Sequence, residues 1–318
     1  MKKVLAVLLI LISASLYAQK KIVVAQDGSG NFITVQQAIN AAPDKSETAT
    51  VIFIKKGLYK EKLIVPANKQ NLHFVGEDKN ATILSYDDYH AKKNSSGKEI
   101  GTSGSASIHI YGNGFSAENM TFQNTAGPTA GQAVAVWVAG DNVSFKNCRF
   151  LGNQDTLYTY GYGSHQFYKD CYIEGTVDFI FGASSAWFQN CDIYCKMAGC
   201  VTAASTPDSV KFGYVFKDCK IEGSPTAIGR YFLGRPWRPY AKVVFINCDL
   251  GNQIKPDGWD NWNNVKNEAT AYYAEYKNKG PGFAPDKRVS WAHQLTDEEA
   301  KNYTINNVLK GWDPEKRK

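Results

Sequence analysis

Polar and apolar positions alternate around a short motif that recurs through the middle of the chain. The motif reads FKNC up to Cys148, YKDC up to Cys171, FQNC up to Cys191, FKDC up to Cys219, FINC up to Cys248 and, with threonine in the last place, FQNT up to Thr125. A polar and then an apolar residue follow each cysteine, as on a strand with one buried face. Successive motifs are 23, 23, 20, 28 and 29 residues apart, and this period predicts a solenoid of stacked coils.

Short β-runs without helical periodicity between them make this solenoid a parallel β-helix, an all-β fold. Helices are predicted at its two ends. Thr34 and Gln37 match a capping box that opens a short helix, which would cover the open N-terminal edge. Thr296 and Glu299 match a second capping box, which predicts a helix through about Val308.

Two polar segments, 87–106 and 251–290, are rich in glycine, asparagine and aromatic residues, so we expect long loops that project from the coils. The second segment contains Trp259, Trp262, Tyr272, Tyr273 and Tyr276. These side chains suit either a platform for carbohydrate or a rim that packs on itself, and the rim is the favoured interpretation. Coils and loops together are predicted to form one domain over residues 19–318.

The first 18 residues have the pattern of a secretory signal peptide. Lys2 and Lys3 precede an apolar run over 4–17, and the small residue Ala18 comes before Gln19. The run is too short to span a bilayer. We therefore expect export to the periplasm or to the medium, which the signal alone does not distinguish, and no membrane span.

Net charge is +6, and the basic residues are spread along the chain. Nucleic-acid binding is not expected, because it requires a clustered basic face, although a mild positive charge would steer a polyanionic substrate. The five histidines are scattered without metal-ligand spacing. The sequence indicates no metal and no organic cofactor, and we expect a monomer because no interface is recognisable.

Seven cysteines are an odd number, and the chain is too long to depend on disulfides. In stacked coils they would form an internal ladder of buried, reduced side chains. Adjacent rungs lie about 4.8 Å apart, which falls inside the Cα window for a disulfide. One pair, such as Cys171 with Cys191, could therefore be bonded, but reduced cysteines are the expectation for most of the ladder.

Two aspartates occupy the same place in consecutive coils. Asp155 and Asp178 each lie seven residues after a motif cysteine, and Gln132 lies seven residues after Thr125. Equal offsets predict one column with the two carboxylates roughly 5 Å apart. Because their neighbours are apolar or aromatic, one carboxyl would hold a proton while the other is ionised. The alternative is a structural aspartate ladder that satisfies turn backbone.

Five segments resemble the motifs of the pectin methylesterase family, in the family's order and with compatible spacing. They are GLYKE at 57–61, QAVAV at 132–136, QDTL at 154–157, DFIFG at 178–182 and LGRPW at 233–237. The similarity extends from about residue 23 to residue 310. It implies a right-handed parallel β-helix with cleft-forming loops, and methyl-esterified pectin (homogalacturonan) as the substrate.

The resemblance also implies a role for each motif residue. Asp178 would be the nucleophile on the ester carbonyl, and Asp155 would be the acid and then the base. Gln132 and Gln154 would form an oxyanion hole, and Arg235 would orient Asp178 and keep it ionised. Because Gln154 directly precedes Asp155, strand alternation would turn the two apart, so a local bend is required.

Aromatic residues of the same motifs would bind the sugar. The resemblance implies that Trp237 packs on a sugar ring, with Tyr158 and Phe181 beside it. Phe179 and Phe181 flank Ile180, and alternation leaves open which of them faces the cleft. Structural roles are expected for Gly57, Tyr59 and Glu61.

Other functions remain alternatives at this point. A retaining glycoside hydrolase uses two carboxylates at a similar separation, but an oxyanion hole made by Gln132 and Gln154 would serve acyl transfer instead. A pectate lyase would need a calcium site with several carboxylates, and the predicted column contains two. A binding or adhesive solenoid would leave the aspartates without a role. Ester hydrolysis accounts for the whole set.

Overall fold

The structure is a computed structural model that describes residues 21–316. The predicted signal peptide, residues 1–18, lies outside the described residues. Three parallel sheets, A, B and C, make up most of the chain, and strands from each sheet follow one another along it. No helix within residues 21–316 is long and apolar enough to cross a membrane.

Sheet A has eleven strands and runs the length of the molecule. In spatial order these are β1 (Lys21–Val24), β2 (Thr50–Ile54), β5 (Leu72–Gly76), β8 (Ser116–Glu118), β11 (Val143–Lys146), β14 (His165–Lys169), β17 (Ser185–Gln189), β20 (Tyr214–Lys217), β23 (Lys242–Ile246), β25 (Tyr272–Tyr276) and β26 (His293–Gln294).

Sheets B and C have eight and seven strands. Sheet B contains β3 (Gly57–Lys60), β6 (Thr82–Tyr86), β9 (Thr121–Asn124), β12 (Arg149–Leu151), β15 (Tyr172–Gly175), β18 (Asp192–Cys195), β21 (Lys220–Gly223) and β24 (Asp249–Leu250). Sheet C contains β4 (Leu63–Val65), β7 (Ile108–Ile110), β10 (Val136–Val138), β13 (Leu157–Thr159), β16 (Ile180–Gly182), β19 (Gly199–Ala204) and β22 (Tyr231–Gly234). From β2 to β22 each coil visits A, then B, then C, which confirms the right-handed parallel β-helix.

The core is a stack of apolar and aromatic side chains between the sheets. The aromatic residues of the repeated motif stack in successive coils, with ring centroids 4.4–5.2 Å apart: Phe145, Tyr168, Phe188, Phe216 and Phe245. All seven cysteines are buried and free. The expectation of reduced cysteines is confirmed, and Cys171 and Cys191 are not bonded to each other.

The residue that precedes each motif cysteine forms the corner between sheets A and B, which explains why it is always asparagine or aspartate. Asparagine or aspartate in the left-handed backbone region turns the chain there, at Asn147, Asp170, Asn190, Asp218 and Asn247, with φ between 50° and 55°. These two residue types adopt this conformation more readily than other non-glycine residues. The turn is therefore encoded once per coil.

One member of the predicted repeat is wrong. Strand pairing aligns Thr121 with Arg149, which places Met120 and not Thr125 at the cysteine position. Asn119 makes the corner before it, with φ 56°. The equivalent segment is thus AENM and not FQNT. Methionine replaces cysteine as the buried apolar side chain, so the cysteine pattern does not mark this coil.

The N-terminal helix α1 (Val35–Ala41) forms as predicted and buries Val35, Ala38 and Ile39 against the end of the solenoid. Thr34 accepts a hydrogen bond from the Gln37 amide at 3.3 Å. Glu61 also caps this helix, because its carboxylate accepts from the amides of residues 35 and 36 at 2.9 and 3.0 Å. Glu61 therefore has the structural role expected for it.

The C-terminal helix is shorter than predicted. The capping box at Thr296 and Glu299 is present, but its helix, α3, ends after one turn (Asp297–Ala300). A separate helix, α4 (Ile305–Val308), begins at Thr304, whose backbone is extended and whose hydroxyl accepts from the Asn307 amide at 3.2 Å. A second cap inside the segment thus divides the predicted helix into two.

The predicted loops are partly regular. Residues 87–106 form a loop with one short helix, α2 (Gly101–Gly104). Segment 251–290, predicted as a loop, is wrong in part because it includes β25, which pairs with β23 and buries Tyr273. The nearly inaccessible Arg288–Glu275 ion pair, at 2.6 Å, fixes this segment to sheet A. Short 3₁₀ helices occur at Pro225–Ala227, Val265–Ala269, Pro285–Lys287 and Pro314–Lys316.

Candidate active site

Asp155 and Asp178 lie at the corner between sheets B and C, in adjacent coils. The pairing of β13 with β16 aligns Leu157 with Ile180, so the two aspartates occupy equivalent positions. The Asp155 amide donates to the Val177 carbonyl at 3.1 Å. The backbones of the two aspartates are therefore one hydrogen-bonded strand spacing apart, about 4.8 Å. Both side chains are buried, with 7% and 6% of each residue exposed.

The corner also supplies the bend that Gln154 requires. Asp155 and Asp178 have left-handed backbone, with φ of 65° and 53°, and Gln154 lies in the turn between β12 and β13. This conformation ends the strand alternation, so Gln154 and Asp155 can both face the same cavity. The carboxylates are consequently presented by a turn and not by a strand.

Gln132 lines the site, but it does not occupy the position in the aspartate column that the sequence predicted. The pairing of β10 with β13 aligns Val136 with Leu157, which makes Val134 the counterpart of Asp155. Gln132 precedes Val134 by two residues, so it is not in the aspartate column. It nevertheless lines the same cavity, and the offset from Thr125 was wrong because that residue is not the motif equivalent.

All eight predicted site residues line one cavity of about 590 Å³. They are Gln132, Gln154, Asp155, Tyr158, Asp178, Phe181, Arg235 and Trp237. The other lining residues come from the loops over the corner and from sheet C: Ile100, Gly101, Thr102, Ser103, Ala203 and Trp262. The cavity thus combines two carboxyl groups, two amides, one guanidinium and four aromatic rings.

Arg235 binds both oxygens of Asp178. Its Nε donates to Oδ1 at 2.9 Å and its Nη2 donates to Oδ2 at 2.7 Å. This two-point contact is the strongest geometry available to such a pair. The guanidinium also lies over the Trp262 ring, 3.8 Å from its centroid, so the ring and the carboxylate together fix its position.

Trp262 was not predicted as a site residue. The sequence placed it in an aromatic rim with Trp259 and Tyr273, but those two side chains are fully buried and stack on each other at 4.4 Å. Trp262 instead faces the cavity. No motif surrounds it, and its contact with Arg235 arises from a distant part of the chain.

The two carboxyl groups differ in their electrostatic surroundings. Burial raises the pKa of Asp155 well above its ordinary value, and the charge of Asp178 raises it further, while Arg235 opposes both. Burial also raises the pKa of Asp178, but the hydrogen bonds and charge of Arg235 act against this. The pKa of Asp155 is thus raised the more strongly of the two, and the contacts of Arg235 hold down the rise at Asp178.

The aromatic side of the cavity follows from strand register. Tyr158 pairs in register with Phe181, and their rings stack with centroids 4.0 Å apart. Trp237 packs beside them at 6.1 and 5.8 Å. Phe179 is fully buried in the core, so Phe181 is the phenylalanine that faces the cleft.

Comparison with known proteins agrees with this arrangement. The family model described as Pectinesterase matches residues 21–312. The chain belongs to the pectinesterase family. Members of this family are carboxylic ester hydrolases.

Individual relatives cover nearly the whole chain. It is 41% identical over 297 residues to Pectinesterase 31 of Arabidopsis thaliana, covering 92% of each protein. The solved structure of pectin methylesterase from carrot has a TM-score of 0.84 at 37% identity, covering 91% of this chain and 93% of that one. A pectin methylesterase solved in complex with a hexasaccharide has a TM-score of 0.81 at 33% identity, covering 92% and 98%.

Several pectinesterase relatives are longer. The chain spans about half the length of curated proteins whose names combine pectinesterase with pectinesterase inhibitor, such as one from Prunus persica. The part shared with all of these relatives is the β-helix that carries the cavity.

Proposed function

We propose that this pectinesterase hydrolyses the methyl esters of galacturonate units in pectin through an aspartyl acyl-enzyme. The products are methanol and de-esterified pectate. The observation that carries the proposal is the pair of adjacent buried carboxyl groups, one bound at two points by Arg235 and the other free of such a partner. One group is thereby suited to attack and its neighbour to proton transfer.

In the first step Asp178 attacks the ester carbonyl with one carboxylate oxygen. Arg235 favours the ionised form and holds both oxygens in place, which limits the geometries from which attack can occur. The carbonyl oxygen becomes an oxyanion in the tetrahedral intermediate. The side-chain amides of Gln132 and Gln154 line the cavity and would donate hydrogen bonds to it.

Collapse of this intermediate expels methanol. Asp155 donates its proton to the methoxy oxygen as the carbon–oxygen bond breaks, which leaves an anhydride between Asp178 and the galacturonate carboxyl group. Its raised pKa suits this role, because the proton remains on Asp155 until the leaving group needs it.

Hydrolysis of the anhydride reverses the roles. The Asp155 carboxylate now takes a proton from water, and the resulting hydroxide attacks the galacturonate carbonyl carbon. Breaking the anhydride bond regenerates the Asp178 carboxylate and releases the galacturonate carboxyl group, which loses its proton to solvent, while Asp155 retains the proton taken from water. Trp237, Tyr158 and Phe181 would pack against the sugar ring and keep water out of the apolar side of the cavity.

We also infer where and in what form the enzyme acts. The predicted signal over residues 1–18 would export it to the periplasm or beyond, where polymeric substrate is accessible. A single chain contributes every residue of the cavity, so we propose a monomer as the active form.

The experiment supplies purified mature protein with highly methylated pectin and follows methanol and new reducing ends in parallel. We expect methanol without chain cleavage, and no methanol from Asp178→Asn. An anhydride intermediate is tested by turnover in the presence of hydroxylamine, with Asp178 of the recovered enzyme analysed for a hydroxamate, which direct attack of water on the ester would not produce. Reducing ends without methanol would assign the aspartates to a glycosidase, and polymer binding with neither product would leave a binding protein.

A further inference from the structure

One part of the cavity is lined by a short segment that the apolar core does not hold. Residues 100–103 line the cavity, and they overlap the four-residue helix α2, which contains no buried residue. Burial of apolar surface therefore contributes little to the position of this helix. Its place over the corner depends on the hydrogen bonds made by the loop to which it belongs.

The side chain of Asn124, at the end of β9, makes four hydrogen bonds beneath this loop. The residue is 5% exposed. Its Nδ2 donates to the carbonyls of Asp88 at 2.8 Å, Val134 at 3.0 Å and Ser105 at 3.2 Å. Its Oδ1 accepts from the Ala126 amide at 2.9 Å. Two amide hydrogens serve three acceptors, so at least one hydrogen is shared.

The three carbonyls belong to separate parts of the chain. Asp88 and Ser105 lie near the two ends of the loop over 87–106, and Val134 lies two residues before β10. One carboxamide therefore closes the base of the loop and joins it to the segment that carries Gln132. The carboxamide does not line the cavity itself, so it can influence a reaction there only through the segments that it holds.

The backbone of Gln132 lies between this loop and the next coil. Its carbonyl accepts from the His90 amide of the loop at 2.8 Å. The following amide, of Ala133, donates to the Gln154 carbonyl at 3.1 Å. The Gln132 side chain is only half-buried, so the course of its backbone decides where its amide lies. That course is fixed on one side by the loop that Asn124 holds.

Further contacts join the same segments. The Val134 amide donates to Ser105 Oγ at 3.1 Å. Lys62 Nζ donates to the Gly104 carbonyl at 2.6 Å and forms an ion pair with the buried Asp88 carboxylate. The base of the loop is therefore a polar network, which keeps one geometry only while its members stay hydrogen-bonded.

We propose that Asn124 is a positioning residue for Gln132. By joining the base of the loop to the segment before β10, it places the Gln132 amide where the oxyanion of the reaction forms. The placement matters for rate, because a displacement of about 1 Å can cost about 100-fold. This inference rests on the proposed function and assigns to Asn124 an effect on kcat and not on substrate binding.

The test measures kcat and KM for methanol release in Asn124→Ala, with Asn278→Ala as the matched control. Asn278 is also 5% exposed, and it bonds to Cys248 and Glu275, which do not line the cavity. Asn124→Ala should lower kcat about 10–100-fold and leave KM within about twofold. The control should keep kcat within about twofold. A raised KM with unchanged kcat, or an equal loss of kcat in the control, would overturn the proposal.

A double-mutant cycle with Gln132→Ala separates positioning from general damage to the fold. If Asn124 acts through Gln132, Asn124→Ala should lower kcat by less than about twofold once residue 132 is already alanine. Losses that multiply in the double variant would contradict the positioning role. Should Asn124→Ala fail to fold, Asn124→Asp takes its place, since it keeps the shape and the acceptor for Ala126 but removes the amide hydrogens.

Hydrogen exchange provides a readout that does not depend on catalysis. The amides of His90 and Val134, which bond the loop to the segment around Gln132, should exchange at least about tenfold faster in Asn124→Ala than in wild type. In Asn278→Ala their exchange should match wild type. Unchanged exchange in Asn124→Ala would refute the inference. If wild type releases no methanol, the proposed function fails, and the exchange rates alone decide whether Asn124 holds this segment.

Discussion

The corner between sheets A and B and the corner between sheets B and C share a left-handed backbone conformation but differ in their surroundings. At the corner between sheets A and B, residues such as Asn147 and Asp170 adopt left-handed φ, and at the corner between B and C Asp155 and Asp178 do so. The first corner is partly exposed, and its side chains bond to equivalent side chains in the next coil. Asn147, for example, donates to Asn119 at 2.7 Å.

The second corner is covered by loop residues, and its aspartates are largely shielded from solvent. Its aspartates are buried, and burial raises the pKa of both. The two corners therefore share a backbone conformation but differ in solvent exposure and in the hydrogen-bond partners of their side chains. An aspartate in a repeat becomes suited to chemistry when burial removes water from its carboxyl group and no equivalent side chain of the neighbouring coil donates a hydrogen bond to it.

The largest effect should come from removing a carboxylate at the covered corner. Asp178→Asn removes the proposed nucleophile, so kcat for methanol release should fall by at least about 10⁴-fold. The matched change at the exposed corner, Asp170→Asn, keeps the side-chain oxygen that accepts from Asn190 at 2.6 Å. It should leave kcat within twofold. Similar losses in both variants would mean that the corners are not functionally distinct.

A smaller loss is expected for the amides beside the aspartates. Gln132→Ala and Gln154→Ala should each lower kcat by about 10²–10³-fold, because each would remove one proposed donor to the oxyanion. KM should change little, since the donor acts mainly in the transition state. Steady-state kinetics on methylated pectin would measure both, with the exposed Gln294→Ala as the control. A rise in KM with constant kcat would contradict the oxyanion role.

Weakening the ion pair should move the pH profile. The proposed mechanism needs ionised Asp178 and protonated Asp155, so the acid limb of the pH profile should follow Asp178 and the alkaline limb should follow Asp155. Arg235 lowers the pKa of Asp178 against the effect of burial. In Arg235→Lys the two-point contact is lost, the pKa rises, and the acid limb moves to higher pH, with kcat lowered about 10–100-fold.

The limb positions come from kcat measured across pH for both proteins. A uniform loss of kcat without displacement of the acid limb would show that Arg235 acts by position alone. Movement of the limb toward lower pH would contradict the proposed electrostatic role.

Asp155→Asn should stabilise the fold while it removes activity. The folded state raises the pKa of Asp155, so the ionised form is disfavoured there relative to the unfolded chain. Below the unfolded pKa, about 3.9, both states are neutral and the variant gains nothing. As pH rises from there the gain grows, and it levels off above the folded pKa, at about 1–3 kcal/mol.

Urea unfolding at several pH values measures this gain. Asp170→Asn, at the exposed corner, should give no comparable increase in unfolding free energy because its side chain is partly in water. A gain for Asp155→Asn that is largest in acid would have the wrong sign and would refute the assignment of a protonated Asp155.

The smallest effect concerns the backbone of the exposed corner. Asn147→Ala places alanine at φ 50° and removes the hydrogen bond to Asn119, which together should cost about 1–2 kcal/mol of unfolding free energy. Asn147→Gly restores the backbone freedom and should recover about half of it. Thermal unfolding measures the loss, and kcat of the folded fraction should not change. Reduced kcat would show that this corner contributes to the site.

Much of the fold was predictable because hydrogen-bonded coils impose a periodic sequence. The motif cysteines gave five successive coils, and equal offsets placed Asp155 beside Asp178. The error at Thr125 has a specific cause. The step from Thr121 to Val136 is seven residues longer than the equivalent step from Arg149 to Leu157, and this coil has Met120 in place of the cysteine that marks the others.

Contacts made by distant segments were not predictable in the same way. Trp262 reaches Arg235 because segment 251–290 folds back along sheet A through β25. The helix predicted to reach Val308 was interrupted by a cap at Thr304 that competes with the first. The repeat period and the offset from the motif cysteine determine which residues are neighbours in stacked coils. Side chains contributed by loops depend instead on the course of each loop, which the repeat does not encode.

Because the two carboxyl groups proposed to be catalytic come from consecutive coils, peptide hydrogen bonding fixes the separation of their backbones. Insertions or deletions within the loops leave this separation unchanged, as the seven extra residues from Thr121 to Val136 illustrate, since β10 still pairs in register with β13. The spacing of the two aspartates is thus independent of loop length. Such a scaffold can acquire new substrate preferences by exchanging loops, during evolution or in the laboratory, without rebuilding its chemistry.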